Sequence, residues 1–222
     1  IDNNYSEEQI LIRNATRDWV NKHVKPNIEE HFQKAETPSY LIKELSNIGG
    51  FGLIIPESYG GVGADYISFG LMMQELERGD SSIRVISSIQ TSLVMYAIYK
   101  FGSEKQKEKY LPDLASGEML GAFGLTEPDF GSNPSSMHSY FKKDGDNIVI
   151  NGSKMWIGNA ETADIAIIWI KDESSKVRGV IIETKNITNF TTTTLKDKWS
   201  FRSSKTGELV FSDSVVSKEQ VL

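Results

Sequence analysis

FGLTEPDFGS, residues Phe123 to Ser132, sets two hydroxyls, Thr126 and Ser132, in a turn punctuated by Gly124 and Gly131; KMWIGN, Lys154 to Asn159, follows it with a buried-looking aromatic strand. Glycines at such positions let backbone amides approach a ligand closely, hydroxyls donate hydrogen bonds, and Trp156 offers a broad apolar face. Together they suit a flat, partly polar ligand. As isolated residues the hydroxyls would read as plain turn formers, and Trp156 and Phe123 as core. Two such motifs in succession favour a site.

The sequence on either side changes character at about residue 118, giving domains 1–118 and 119–222. In the first half, Ser6 with Gln9 opens a helix whose apolar residues, Ile10 to Val20, recur at helical spacing until Pro26. Further helices are expected over Ser39 to Ile48, from Asp65 to Gly79, across Ile83 to Ala97, and from Ser103 as N-cap to Gly117. After Met119, β-branched and alternating runs predict strands at Ile148–Ile150, Ile165–Ile170, Val177–Glu183, Phe190–Leu195 and Glu208–Phe211. Asp144-Gly145 and Asn151-Gly152 are both dipeptides that favour tight hairpins. The four threonines Thr191–Thr194 suit an edge or half-exposed strand. The fold class is therefore α+β: an all-α helical domain, then an antiparallel, barrel-like β domain.

Composition excludes several functions. The 222 residues carry a net charge of -6, with 39% hydrophobic and 24% charged residues, as in an ordinary soluble chain expected in the cytoplasm. The apolar run Ala163–Ile170 is too short to span a bilayer. There is no cysteine, and His23, His31 and His138 lack ligand spacing, so neither a disulfide scaffold nor a metal centre is expected. The acidic balance argues against nucleic acid, and Lys105, Lys107 and Lys109 alternate with other polar residues along one solvated helix face.

GLTEPDFGSN and WIGNA resemble the two flavin motifs of the acyl-CoA dehydrogenase family, and PESYGGVGAD, YLPDLASGE and the closing RSSKTGELVF and VSKEQVL fall in that family's order along essentially the whole chain. The resemblance implies FAD as cofactor and an acyl-CoA thioester as substrate, which loses an α-proton to a base and a β-hydride to the flavin. It assigns Phe123, Gly124, Leu125, Thr126, Gly131, Ser132, Trp156, Ile157 and Gly158 to the flavin, Ser132 also to the CoA portion, and Arg202 to the flavin pyrophosphate of a neighbouring subunit. It further implies a homotetramer and an electron-transfer flavoprotein as acceptor. Gly158 stands where the family usually has threonine or serine, so one hydroxyl to the flavin is missing; Asn133 replaces a common aspartate.

Within the family, DSSIRVISSIQTSLVM, Asp80 to Met95, is most similar to glutaryl-CoA dehydrogenases, which implies a substrate-binding role for Arg84 and Val85 and decarboxylation to crotonyl-CoA. Arg84 also stands out by itself: a cation in the first turn of a helix is disfavoured by the dipole and calls for an anion. A substrate carboxylate or Glu77 would serve, and Val85 replaces a serine common in the glutaryl enzymes. No catalytic residue is assigned, because the family's glutamate base belongs to a C-terminal helical bundle expected beyond Leu222; Glu127 in the TEP turn reads as structural. A non-catalytic flavin or acyl-CoA binding module, a short- or medium-chain dehydrogenase and an oxidase remain as alternatives.

Overall fold

The protein is described by a computed structural model covering residues 4–222. Helix α1 (Glu7–Trp19) begins at a reciprocal cap in which the Gln9 amide donates to Ser6 Oγ and the Ser6 amide to Gln9 Oε1, with Glu7 and Glu8 in its first turn. It continues into a π-helical turn, Val20–Val24, and is followed by a short helix, α2 (Ile28–Lys34), absent from the sequence expectation because none of its residues is buried. Then come α3 (Ser39–Asn47), α4 (Tyr66–Gly79), α5 (Ser81–Ser88), a second π-helical segment (Ile89–Met95), α6 (Tyr96–Phe101) and α7 (Glu104–Ser116). Ser103 caps α7 with Gln106 as expected, and Gly117 closes it in the left-handed region at φ +74°. Trp19, Val20, Leu41, Leu45, Phe51, Met72, Leu76 and Ile83 form the helical core. Glu75, buried in that half, is neutralised by Arg17 at 2.6 Å and Arg78 at 2.8 Å.

The second half is a curled mixed sheet: β1 (Gly121–Gly124), β2 (Tyr140–Asp144), β3 (Asn147–Gly158), β4 (Ile165–Lys171), β5 (Val177–Glu183), β6 (Phe190–Thr194) and β7 (Thr206–Ser217). Its order is β1-β4-β2-β3-β7-β6, with β5 on the other edge of β4. The expected antiparallel pairings dominate, but β1 and one residue of β2 pair with β4 in parallel. β1 and β2 carry too little periodic pattern to be read from sequence; β1 is set by its neighbours. The strand β4 is buried on both faces. Ala166, Ile168 and Ile170 point into the barrel, while Ile165 and Ile167 pack with Ala97, Ile98, Leu111 and Leu114 of the helices, which is why its run is continuous rather than alternating. The threonine strand β6 sits at the sheet edge, half exposed.

Of the two expected hairpins only Asp144-Gly145 turns the chain, with Gly145 at φ +59°. Asn151-Gly152 lies inside β3, at a register shift between Ile150 and Gly152 against β7. Gly152 is required there because it takes φ +138° and a Cβ would come within 2.2 Å of Ser139 Oγ. The same left-handed freedom that makes a hairpin makes a bulge, and pairing on both sides of β3 selects the bulge.

Candidate functional site

A second irregularity in β3 shapes the site. Lys154 pairs with Leu209 and Ile157 with Gly207, so β3 spends one more residue than β7 between them. Trp156 sits in this bulge at φ +64°, an uncommon conformation for a bulky side chain. The sequence expectation of a buried aromatic strand fails at this residue: Trp156 is 61% exposed, because the bulge turns its ring outward while Lys154 and Ile157 both point inward.

Trp156 and Gly158 form one wall of a 590 Å³ cleft whose other residues are Val85 and Ile89 from the helical half and the segment Leu195–Phe201 with Thr206. That segment is built around one ammonium group. Lys198 Nζ donates to the Phe201 carbonyl at 2.8 Å, the Ser204 carbonyl at 2.6 Å and Thr206 Oγ1 at 2.8 Å, and burial pulls its pKa below the usual lysine value. It leaves Trp199, 98% exposed, at the rim. Ile89, Trp199 and Phe201 escaped the sequence reading; the aromatic spacing in KWSF was the available signal.

The residues of the Phe123–Ser132 loop reach this wall through the backbone. The Met155 amide donates to the Thr126 carbonyl at 2.8 Å, which lays Thr126 against the residue preceding Trp156. The Thr126 hydroxyl has no protein partner among the described residues. Phe123 turns its ring away, against Trp169 at 6.0 Å between centroids, so only its backbone remains for a ligand. Gly124 is demanded by packing rather than by ligand approach, since a Cβ would meet Ile168 Cδ1 at 2.6 Å. Leu125 is half-buried, Ile157 is in the barrel core, and Gly131 and Ser132 are exposed at the loop tip.

Beneath the loop lies a buried ion pair, Lys154 Nζ to Glu127 Oε1 at 2.7 Å. Glu127 also accepts from the amides of His138 at 2.6 Å and Ser139 at 3.0 Å. Burial alone would raise its pKa; the ammonium, Ser139 and these amides outweigh burial and hold it down to about 2. A carboxylate so committed is structural.

Gly158 has a steric reason. A Cβ there would fall 2.3 Å from Ile89 Cδ1, so the Ile89 side chain already occupies the space a threonine or serine would need. Arg84 stands beside the cleft residue Val85; its Nε donates to Glu77 Oε2 at 2.6 Å and its guanidinium lies over the Phe201 ring at 5.8 Å. Of the two partners open to it, Glu77 is the one present. Its Nη groups have no protein acceptor among the described residues. Arg202 lies on the far side of the loop. It donates to the carbonyls of Phe32, Gln33 and Lys198, tying α2 to the loop, in a groove shared with Lys34, Lys196, Lys198 and Lys205, whose excess positive charge is partly offset by Glu161 and Asp197.

A helical domain is packed on a curled mixed sheet, with an exposed tryptophan in the wall of a cleft between them and Thr126 bonded to the residue preceding it. The chain matches the family profile "Acyl-CoA dehydrogenase, N-terminal domain" over residues 6–118 and "Acyl-CoA dehydrogenase, middle domain" over 122–214, and it belongs to the acyl-CoA dehydrogenase family. It is 36% identical to a glutaryl-CoA dehydrogenase of Desulfococcus multivorans over 100% of this chain and 59% of that protein. Among solved structures it is similar to a glutaryl-CoA dehydrogenase of Mycobacterium smegmatis in complex with FADH2, with TM-score 0.96 and 40% identity over 99% of this chain and 56% of that one. It is also similar to butyryl-CoA dehydrogenase of Megasphaera elsdenii, with TM-score 0.91 and 34% identity over 98% of this chain and 59% of that one. The chain thus spans less than two thirds of the relatives' length. No helix among the described residues is long and apolar enough to cross a membrane.

Proposed function

We propose that the protein containing this chain is an FAD-dependent acyl-CoA dehydrogenase and that these residues form the flavin-ring wall and part of the acyl pocket. The observation that carries this is the union of the two motifs through the Met155 to Thr126 hydrogen bond beside the outward-turned Trp156. FAD, when bound, supplies the acceptor for the β-hydride. Trp156 would flank the ring, the Thr126 hydroxyl and neighbouring amides would donate to its polar edge, and donors there stabilise negative charge developing on reduction. Ser132 would meet the CoA portion from the loop tip. The basic groove around Arg202 suits a phosphate-bearing part of the cofactor contributed across a subunit boundary, and the family resemblance extends the proposal to a homotetramer served by an electron-transfer flavoprotein.

For the acyl group we infer glutaryl-CoA. Arg84 keeps its Nη donors unspent beside the cleft, and a guanidinium held at Nε presents the rest of its fork to a carboxylate. Short straight-chain acyl groups are the second reading, favoured by the 2.6 Å Glu77 contact, which already supplies Arg84 with a counter-charge, and by the apolar Val85 and Ile89. Thr126→Val in the full-length protein is expected to weaken FAD binding about tenfold, the scale of one lost hydrogen bond to a charged or polarised group, with unchanged folding. Titration of apoprotein with FAD measures it, and unaltered affinity removes Thr126 from the site. Arg84→Met should abolish turnover of glutaryl-CoA and spare butyryl-CoA; equal effects on both return Arg84 to a structural role.

A further inference from the structure

Lys154 is fully buried, yet it lies two residues before Trp156 on the strand that forms the cleft wall. Its ammonium holds three groups of the facing loop: Glu127 Oε1 at 2.7 Å, the Leu125 carbonyl at 3.2 Å and Met137 Sδ at 3.8 Å. Glu127 passes the connection on to the amides of His138 and Ser139, and Ser139 Oγ donates to the Ser153 carbonyl at 3.3 Å. The excursion from residue 128 to residue 136 therefore leaves and rejoins the barrel at one ion pair. Between its two ends, residues 128–136 are mostly exposed and bonded chiefly among themselves.

Burying two charges costs several kcal/mol per ion, which mutual attraction only offsets, so apolar side chains in place of the ion pair would cost the fold little beyond the acceptor that the His138 and Ser139 amides lose. What they would not do is draw the Leu125 carbonyl and the Glu127 carboxylate toward the root of Trp156. We propose that Lys154, with Glu127, is the positioning residue of the cofactor site: one ammonium sets the register between the loop bearing Thr126 and the strand bearing Trp156. This rests on the flavin assignment made above. Neither residue touches the ligand; both act through the loop they hold.

The test uses full-length apoprotein and FAD as probe, with two readouts, melting of the apoprotein and the FAD dissociation constant. The double variant Lys154→Met/Glu127→Leu removes both charges at similar volume. It is expected to fold with a lowered melting temperature, because the His138 and Ser139 amides lose their acceptor, and to bind FAD at least tenfold more weakly at a temperature where it is folded, with an altered visible spectrum of whatever flavin is bound. A double variant that binds FAD as tightly as wild type overturns the positioning role. If the double variant does not fold, Glu127→Gln, which keeps shape and one acceptor, is expected to fold and to weaken FAD binding about three- to tenfold; unchanged affinity there overturns the proposal equally. Wild-type protein that fails to bind FAD overturns the flavin assignment and this inference together, whereas wild-type binding with an indifferent variant overturns the inference alone.

Discussion

Gly158 and Ile89 share one volume, and the pair explains a departure that would otherwise look like a lost function. With 2.3 Å between a Cβ at residue 158 and Ile89 Cδ1, Gly158→Thr overpacks the cleft wall and is expected to cost about 1–3 kcal/mol in thermal denaturation. Adding Ile89→Ala should recover most of that loss; a Gly158→Thr protein as stable as the parent would refute the steric account. Glu127 carries a pH signature of its own. Its carboxyl falls from an ordinary value of 4.5 to about 2 in the folded protein, so its stabilisation is complete above pH 4.5 and is lost as pH falls toward 2. Acid denaturation followed by circular dichroism should therefore be less steep between those limits in Lys154→Met/Glu127→Leu than in the parent. Among the cleft-lining residues, Trp156 and Gly158 were legible because they fall in a quoted motif. Their orientations were not, because a bulge reverses the alternation from which inward and outward faces are read, and Lys154, placed within a quoted motif, gave no hint that it would be buried.

At the scale of elements, helix ends read well because capping chemistry is local: Ser6 with Gln9 and Ser103 with Gln106 have only two intervening residues each. Strand irregularities read poorly because they depend on partners far away in the chain. Asn151-Gly152 is the example, a hairpin dipeptide held straight by β2 on one side and β7 on the other. The π-helical segment Ile89–Met95 was likewise invisible as such, yet it delivers Ile89 to the cleft and Gln90 to the junction between the two halves. Gln90 Nε2 donates to the Leu114 and Met119 carbonyls at 2.8 and 2.7 Å, and its Oε1 accepts from the Gly121 amide at 2.8 Å. Gln90→Leu leaves these buried groups unpaired and is expected to lower unfolding free energy by at least about 2 kcal/mol in urea denaturation. A smaller loss would mean that the junction is held by apolar packing alone.

For the molecule as a whole, the division of labour follows from the two halves, a helical one and a sheet, joined by a shared core of α6, α7 and the outer face of β4. The helical half contributes Val85 and Ile89 to one side of the cleft, with Arg84 beside them, the sheet contributes Trp156 and Gly158, and the loop clamped by Lys198 closes the third side. The α+β class and the change from helix to strand were legible from periodicity alone. The mixed character of the sheet was not, since β1 is four residues long and parallel only by virtue of β4. The central claim, that this scaffold serves acyl-CoA dehydrogenation on a flavin, is tested most directly by adding acyl-CoA thioesters anaerobically to the full-length, FAD-loaded protein and following the visible flavin absorbance. Bleaching by glutaryl-CoA, with weaker or no bleaching by straight-chain thioesters, is the predicted result; a bound flavin that no acyl-CoA reduces would contradict the account.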